Sequence, residues 1–255
     1  MPQDAVLAQV LSASTRSAPP AALTLDLDDT LWPILPVILR CEAALESFLR
    51  EHAPAVAQRY PGLAMRALRD TIFAERPDLA HDYGAVRRLS LERAFEHCGL
   101  HAPALVEAAY ALFYATRNEV ECYPEVDHTL PALAARHRIV ALTNGNADLA
   151  RIGLDHHFHG AVFARQVGCA KPDPRIFGHA LALLELPAGD VWHVGDDPLM
   201  DVVGARRAGM GAVWLNRDDR PWPHPDLPGP DLVVRDLTEL AAHLADLSPT
   251  PSTLR

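Results

Sequence analysis

Apolar positions along this chain change period three times, and the changes divide it into segments. A leader holds one short helical pattern, Asp4 to Leu11, before a brief apolar run, Ala22 to Leu27, that ends in carboxylates, as a buried parallel strand does at its functional edge. From Pro36 to about Glu119 the spacing turns helical, with segments near Val37 to His52, Leu63 to Ala74, Gly84 to Cys98 and Pro103 to Asn118, and no strand pattern interrupts them. Alternation then returns: helix Val126 to Arg136, strand Arg138 to Thr143, helix Ala147 to Leu154, strand Ala161 to Ala164 and helix Pro174 to Leu184. Strand Val191 to Val194, helix Leu199 to Ala208, strands Ala212 to Leu215 and Leu232 to Val234, and helix Leu237 to Leu244 complete the series.

Strands and helices in alternation predict an α/β fold, a Rossmann-like doubly wound parallel sheet with helices on both faces. The helical stretch is then an insertion between the first two strands, a cap over their C-terminal edge. Residues 1–33 and 121–255 are expected to form the α/β core and residues 34–120 the helical cap. Five prolines between Pro221 and Pro230 mark an irregular loop before the last strand, because proline withholds a backbone donor.

Composition narrows the partners. With 255 residues, 49% of them hydrophobic, the chain can bury a sizeable core. A formal net charge of -10 argues against nucleic acid or an anionic membrane surface as partner. The leader lacks a basic start and an uninterrupted apolar stretch, and no long uncharged run follows; the expectation is a soluble, cytoplasmic protein. Four scattered cysteines form no close pair of the zinc or redox kind. Oligomeric state stays open.

Candidate chemistry gathers at predicted strand ends. Asp26 and Asp28, in Asp26-Leu27-Asp28-Asp29-Thr30, share one side if the strand continues that far; alone, such a pair arises easily by chance. Thr143-Asn144-Gly145-Asn146 offers a hydroxyl and backbone amides suited to phosphate oxygens. Lys171 stands just before a proline-initiated helix, and Asp196, Asp197 and Asp201 follow a strand and a glycine. All four segments lie at C-terminal strand ends, the edge where open parallel sheets place their sites. In the cap, Tyr83, Arg87 and Arg88 offer an aromatic and two cations to a flat or anionic leaving group, although arginines on a helix ordinarily face solvent. His156, His157 and His159 lack a cysteine or carboxylate at ligand spacing and read as surface residues.

In the order and content of these four segments the sequence resembles the haloacid dehalogenase superfamily. Within it, the DLDDTL run, Pro36 to Arg40, Thr143 to Ala147 and His193 to Asp197 look like the branch that dephosphorylates flavin mononucleotide and an aminouracil phosphate. The resemblance implies a magnesium-dependent phosphatase of a small-molecule phosphate ester. Asp26 would be the nucleophile and Asp28 the acid and base, with Thr143, Asn144 and Lys171 on the phosphoryl group. Mg2+ would be held by Asp26, the Asp28 carbonyl and Asp196, while Asp197 and Asp201 orient ligands or Lys171. Met200 departs from the Asn or Asp that many relatives carry there. Superfamily dehalogenases attack carbon without metal and lack an acid two residues after the nucleophile, so Asp28 argues against that activity. Phosphomutases share both carboxylates, and their exclusion rests on the cap. A non-catalytic binding protein would be expected to have lost part of the set.

Overall fold

A computed structural model describes residues 19–247, so the expected helix Asp4 to Leu11 lies outside the described residues. Its centre is a six-stranded sheet, all parallel, in the order β3-β2-β1-β4-β5-β6. The strands are β1 Ala22–Leu25, β2 Arg138–Thr143, β3 Gly160–Phe163, β4 Val191–Gly195, β5 Gly211–Leu215 and β6 Leu232–Val234. The order reverses direction at β1, where the next strand in sequence lies on one side and β4 on the other, and a crevice opens at such a point in doubly wound sheets.

Period-2 alternation assigns each strand residue to a face. Leu23, Leu25, Ile139, Ala141, Trp192, Val194, Val213 and Leu215 build one apolar layer. Ala22, Val140, Leu142, Val191, Ala212 and Trp214 join the layer on the opposite face. Both faces are buried, as a sheet covered on two sides by helices requires. No regular element intervenes between β5 and β6, where the prolines fall.

Five α-helices form the insertion after β1, and a further helix, Val126–Ala134, leads into β2: the five are α1 Ile34–His52, α2 Pro54–Arg59, α3 Gly62–Glu75, α4 Tyr83–His97 and α5 Pro103–Arg117. The short α2 was not anticipated from the sequence. These helices close on an apolar cluster of their own, including Leu49, Val56, Ile72, Leu91 and Phe95. Val37 and Cys41 of α1 and Phe113 of α5 instead join the layer under the sheet, so these two helices root the insertion on the core. Among the described residues, no helix is long and apolar enough to cross a membrane.

Two expected elements take another form. Leu199 to Ala208, expected as one helix, is a π-helical turn, Pro198–Val203, followed by a short α-helix, Gly204–Arg207. The wider turn brings the Val202 N–H to the Asp197 carbonyl and lets Asp201 reach back under β4. Ala147 to Leu154 shortens to Leu149–Ile152, because Asp148 caps it by accepting from the Arg151 N–H and Gly153 ends it in the left-handed region.

Candidate active site

Strand β1 stops at Leu25, but the Asp26 N–H still donates to the Val194 carbonyl at 2.9 Å, which carries the pairing one residue further. A tight turn follows, with the Leu31 N–H on the Leu27 carbonyl and Asp29 at φ 56. Aspartate tolerates this left-handed position, and its carboxylate accepts from the Ile34 N–H at the start of α1. The turn leaves Asp26 and Asp28 lining one cavity of about 300 Å³, together with Thr143, Lys171, Asp196 and Asp201. Asn144, Asp197, Met200 and Tyr83 border it as well.

Lys171 is the hub. Its Nζ donates at 2.6 Å to Asp26 Oδ1 and at 2.6 Å to Asp201 Oδ1. Burial works against the ammonium, yet these two carboxylates outweigh it and hold the lysine charged, above its ordinary value. Burial likewise disfavours the Asp201 anion, but Lys171 and His193 draw it well below the usual carboxylate range. Asp201 is largely held by protein donors: His193 Nε2 lies 2.9 Å from Oδ1, and the Asp197 N–H donates to Oδ2 at 2.9 Å. His193 Nδ1 lies 2.8 Å from Thr24 Oγ1, its register partner on β1. Burial lowers the His193 pKa, so the imidazole is neutral; Nε2–H donates to Asp201 and Nδ1 accepts from the threonine. Gly195 is required for this packing, since a Cβ there would lie 2.3 Å from the Asp201 carboxyl carbon.

The Asn144 side chain is spent on the backbone of Lys171, donating to its carbonyl at 3.0 Å and accepting from its N–H at 2.7 Å. Thr143 Oγ1 accepts from the Gly145 N–H at 2.9 Å, which leaves the hydroxyl proton to donate into the cavity. Asp197 caps the π-turn by accepting from the Leu199 and Met200 N–H groups, both at 2.8 Å. Of the two supporting aspartates, Asp201 is therefore the one that holds Lys171.

Asp28 is gripped from the insertion. Arg117 Nη2 donates to its two oxygens at 2.6 and 2.7 Å, and Trp32 Nε1 donates to Oδ1 at 2.8 Å. Arg117 is buried at the end of α5 and its Nη1 has no partner. Sequence reasoning missed Arg117, Trp32, Thr24 and the role of His193. For the last two a signal existed, polar residues inside otherwise apolar strands; for Arg117 there was none, since its partner lies on a distant segment.

The donor set fits a hard divalent cation. Oxygen atoms of Asp26, Asp196 and Asp201 lie within 4.8 Å of one another. Burial first, then the neighbouring carboxylates Asp201 and Asp28, push Asp26 up to about 7 despite Lys171. Burial with Asp201, Asp26 and Asp29 pushes Asp196 up to about 8. Lys171 is committed to Asp26 and Asp201, which leaves the Asp196 carboxylate without a paired cation among the described residues. With Asp201 Oδ1 taken by Lys171 and His193 and Oδ2 by the Asp197 N–H, Asp26 and Asp196 have the freer oxygens to face an ion.

A second cavity, about 210 Å³, adjoins the first and shares Asp28, Ile34, Tyr83 and Gly145 with it. Phe73, Arg87, Phe113 and Arg117 line its inner part. Of the three cap residues singled out from the sequence, Tyr83 and Arg87 reach this space. Arg88 is a correction: one residue further on the helix, it stacks on Tyr110 with Cζ 3.8 Å from the ring centroid and pairs with Glu107 at the surface. The histidines 156 and 157 sit in an exposed turn; among the described residues the only grouping of potential metal ligands is Asp26, Asp196 and Asp201.

Known proteins resemble this chain along most of its length. Residues 20–209 match the model of the haloacid dehalogenase-like hydrolases. The chain is 35% identical over 202 residues to the 5-amino-6-(5-phospho-D-ribitylamino)uracil phosphatase YigB of Escherichia coli, covering 78% of this chain and 84% of that one. It is 36% identical over 244 residues to a phosphoserine phosphatase of Thermus thermophilus, covering 86% and 96%. A crystal structure described as a 2-haloacid dehalogenase from Pseudomonas syringae superposes with a TM-score of 0.84 at 37% identity, covering 90% of this chain and all of that one. The matched span takes in strands β1 to β4 with their strand-end aspartates and the helical insertion, and the chain belongs to the haloacid dehalogenase-like hydrolase family.

Proposed function

We propose that this chain is a magnesium-dependent phosphatase of a small phosphate monoester, with Asp26 as nucleophile. The observation that carries the reading is the meeting of Asp26, Lys171 and the uncompensated Asp196 in one cavity that also holds Asp28. The Asp26 carboxylate attacks phosphorus; a bond forms from its oxygen as the bond to the leaving alkoxide breaks, giving an aspartyl phosphate. Asp28 gives its proton to the leaving oxygen, then takes one from the water that attacks the aspartyl phosphate. Inorganic phosphate leaves and both carboxyls return to their starting states. The Thr143 hydroxyl and the Asn144 backbone amide hold the phosphoryl oxygens, and Lys171 opposes the charge that gathers on them. Asp26, Asp196 and the Asp28 carbonyl would hold Mg2+, which offsets the repulsion between carboxylates and a phosphate dianion. The helices of residues 34–120 act as the cap that meets the leaving group.

For the substrate, the similarity to the aminouracil phosphate phosphatase favours flavin mononucleotide or another phosphate of riboflavin synthesis. A second reading, metal-free dehalogenation, draws on the name of the Pseudomonas syringae structure. Asp28 and the unpaired Asp196 favour the phosphatase.

Phosphate release from flavin mononucleotide, 5-amino-6-(5-phospho-D-ribitylamino)uracil and O-phosphoserine, with Mg2+ or with chelator, in wild type and Asp26→Asn, tests the proposal. Release is expected only from wild type with Mg2+. Hydrolysis that survives the substitution or chelation refutes it, and halide release from 2-chloropropionate selects the dehalogenase.

A further inference from the structure

The second cavity contains a feature that the phosphoryl chemistry does not use. Arg87 projects from α4 into its lining, with its guanidinium carbon 3.5 Å from the Phe113 ring centroid. Its Nη1 is buried without a hydrogen-bond partner, and no carboxylate pairs with it among the described residues. The nearby carboxylate, Glu42, is taken by Arg69 at 2.8 Å. Burial, and then Arg69, push the Arg87 guanidinium down to about 9, so the fold tolerates this cation rather than gaining from it. A half-buried cation with a buried, unmet donor atom beside a reaction site is a place where a ligand supplies the missing acceptor.

The surroundings specify what that ligand is. Besides Asp28, Gly145, Asn146 and the cations Arg69, Arg87 and Arg117, the lining is Ile34, Ile38, Val86, Phe73, Tyr83 and Phe113, apolar and half of it aromatic, and Phe73 and Tyr83 meet edge to face at 5.7 Å. The cavity volume of about 210 Å³ is many times the roughly 10–15 Å³ that one water needs, which leaves room for more than a short polar head group such as serine. None of the lining residues is a carboxylate other than Asp28, which Arg117 and Trp32 already occupy, so nothing there receives an ammonium group. We propose that Arg87 is a specificity-determining residue that accepts an oxygen-bearing planar ring at the far end of the leaving group, with the aromatic walls flanking the ring. The inference rests on the phosphatase reading and sharpens it: the substrates are esters whose leaving groups carry a flat ring with carbonyl oxygens, not short amino-acid phosphates.

Three esters separate the outcomes: 5-amino-6-(5-phospho-D-ribitylamino)uracil, O-phosphoserine and glycerol 2-phosphate, assayed with Mg2+ on wild type, Arg87→Met and Arg87→Lys. Wild type is expected to prefer the first over O-phosphoserine. Loss of one charged hydrogen bond corresponds to about ten- to a hundredfold in kcat/KM. That loss is expected for Arg87→Met on the ring-bearing ester, with less than about threefold change on glycerol 2-phosphate and partial recovery in Arg87→Lys. Removing a half-buried cation with a buried, unpaired donor is also expected to raise the Tm of the ligand-free protein, which separates a binding role from a structural one. An equal loss on all three esters, no loss on the ring-bearing one, or a preference for O-phosphoserine overturns the inference while leaving the phosphatase intact. If wild type hydrolyses neither these three nor flavin mononucleotide, both fall.

Discussion

Lys171→Met tests whether one ammonium holds the site together. Lys171 and Asp201 are each almost wholly buried, Asp26 nearly so, and with His193 neutral the lysine is, among the described residues, the only cation paired with either aspartate. Removing one member of a buried ionic group leaves the others charged without compensation, at about 3–5 kcal/mol. In a domain of this size that corresponds to a fall in Tm of roughly 6–20 °C. The dependence on pH has a definite sign. The Lys171 pKa is raised on folding, so its stabilisation is present below 10.5 and is lost only above that. The Asp201 pKa is lowered, so its stabilisation is present above 3.8 and is lost as pH falls through and below that value. Both are therefore in force at neutral pH, and the gap between wild type and variant should be widest there and narrow below about pH 4. Urea unfolding of both proteins at several pH values measures it. Adding Asp201→Asn to the variant should recover part of the loss, because it removes one of the stranded charges. A gap below about 1 kcal/mol at pH 7, or one that widens in acid, refutes the reasoning.

Asp26 and Asp196 give the opposite slope. Pushed up to about 7 and about 8, they keep protons that the unfolded chain releases near 3.8, so the metal-free protein should lose stability as pH rises from about 4 to about 8. Thermal melts in chelator should show a steeper decline for wild type than for Asp196→Asn, and Mg2+ should restore wild type most at the alkaline end; equal slopes would count against a shared cation site. Gly145→Ala would place a Cβ 2.5 Å from Asp28 Oδ2 and 3.2 Å from Thr143 Oγ1. The expected result is a fall in kcat of about tenfold or more with little change in Tm, because displacing reactive groups by fractions of an ångström costs rate before it costs stability; unchanged turnover would show that Asp28 has room to move.

The sheet was legible because both of its faces are buried and each strand ends in polar residues, so runs such as Arg138 to Thr143 stand out from the amphipathic helices around them. The site was legible in its charges for a related reason: Asp26, Lys171 and Asp196 interrupt apolar segments at one edge. What the sequence concealed depends on reach. Nothing local says that Asp201 turns back to Lys171, because that needs the π-turn, and the π-turn follows from Asp197 and Gly195 acting together. Nor does any spacing distinguish Arg87, which faces the cavity, from Arg88, which lies on Tyr110; one step along a helix separates them. The Asp28 clamp is hidden altogether, since Trp32 sits on the same turn while Arg117 comes from the far end of the insertion.

That clamp limits how interchangeable the parts of this enzyme are. A graft that exchanged the five helices for those of a relative, cut at the boundaries of residues 34 and 120, would remove Arg117 along with the pocket walls and leave Asp28 held by Trp32 alone. A chimaera intended to import a new preference for leaving groups would thus arrive with a looser carboxylate at the centre of the chemistry. Retaining the arginine at the last turn of the donor's final helix is the condition for moving selectivity without disturbing turnover.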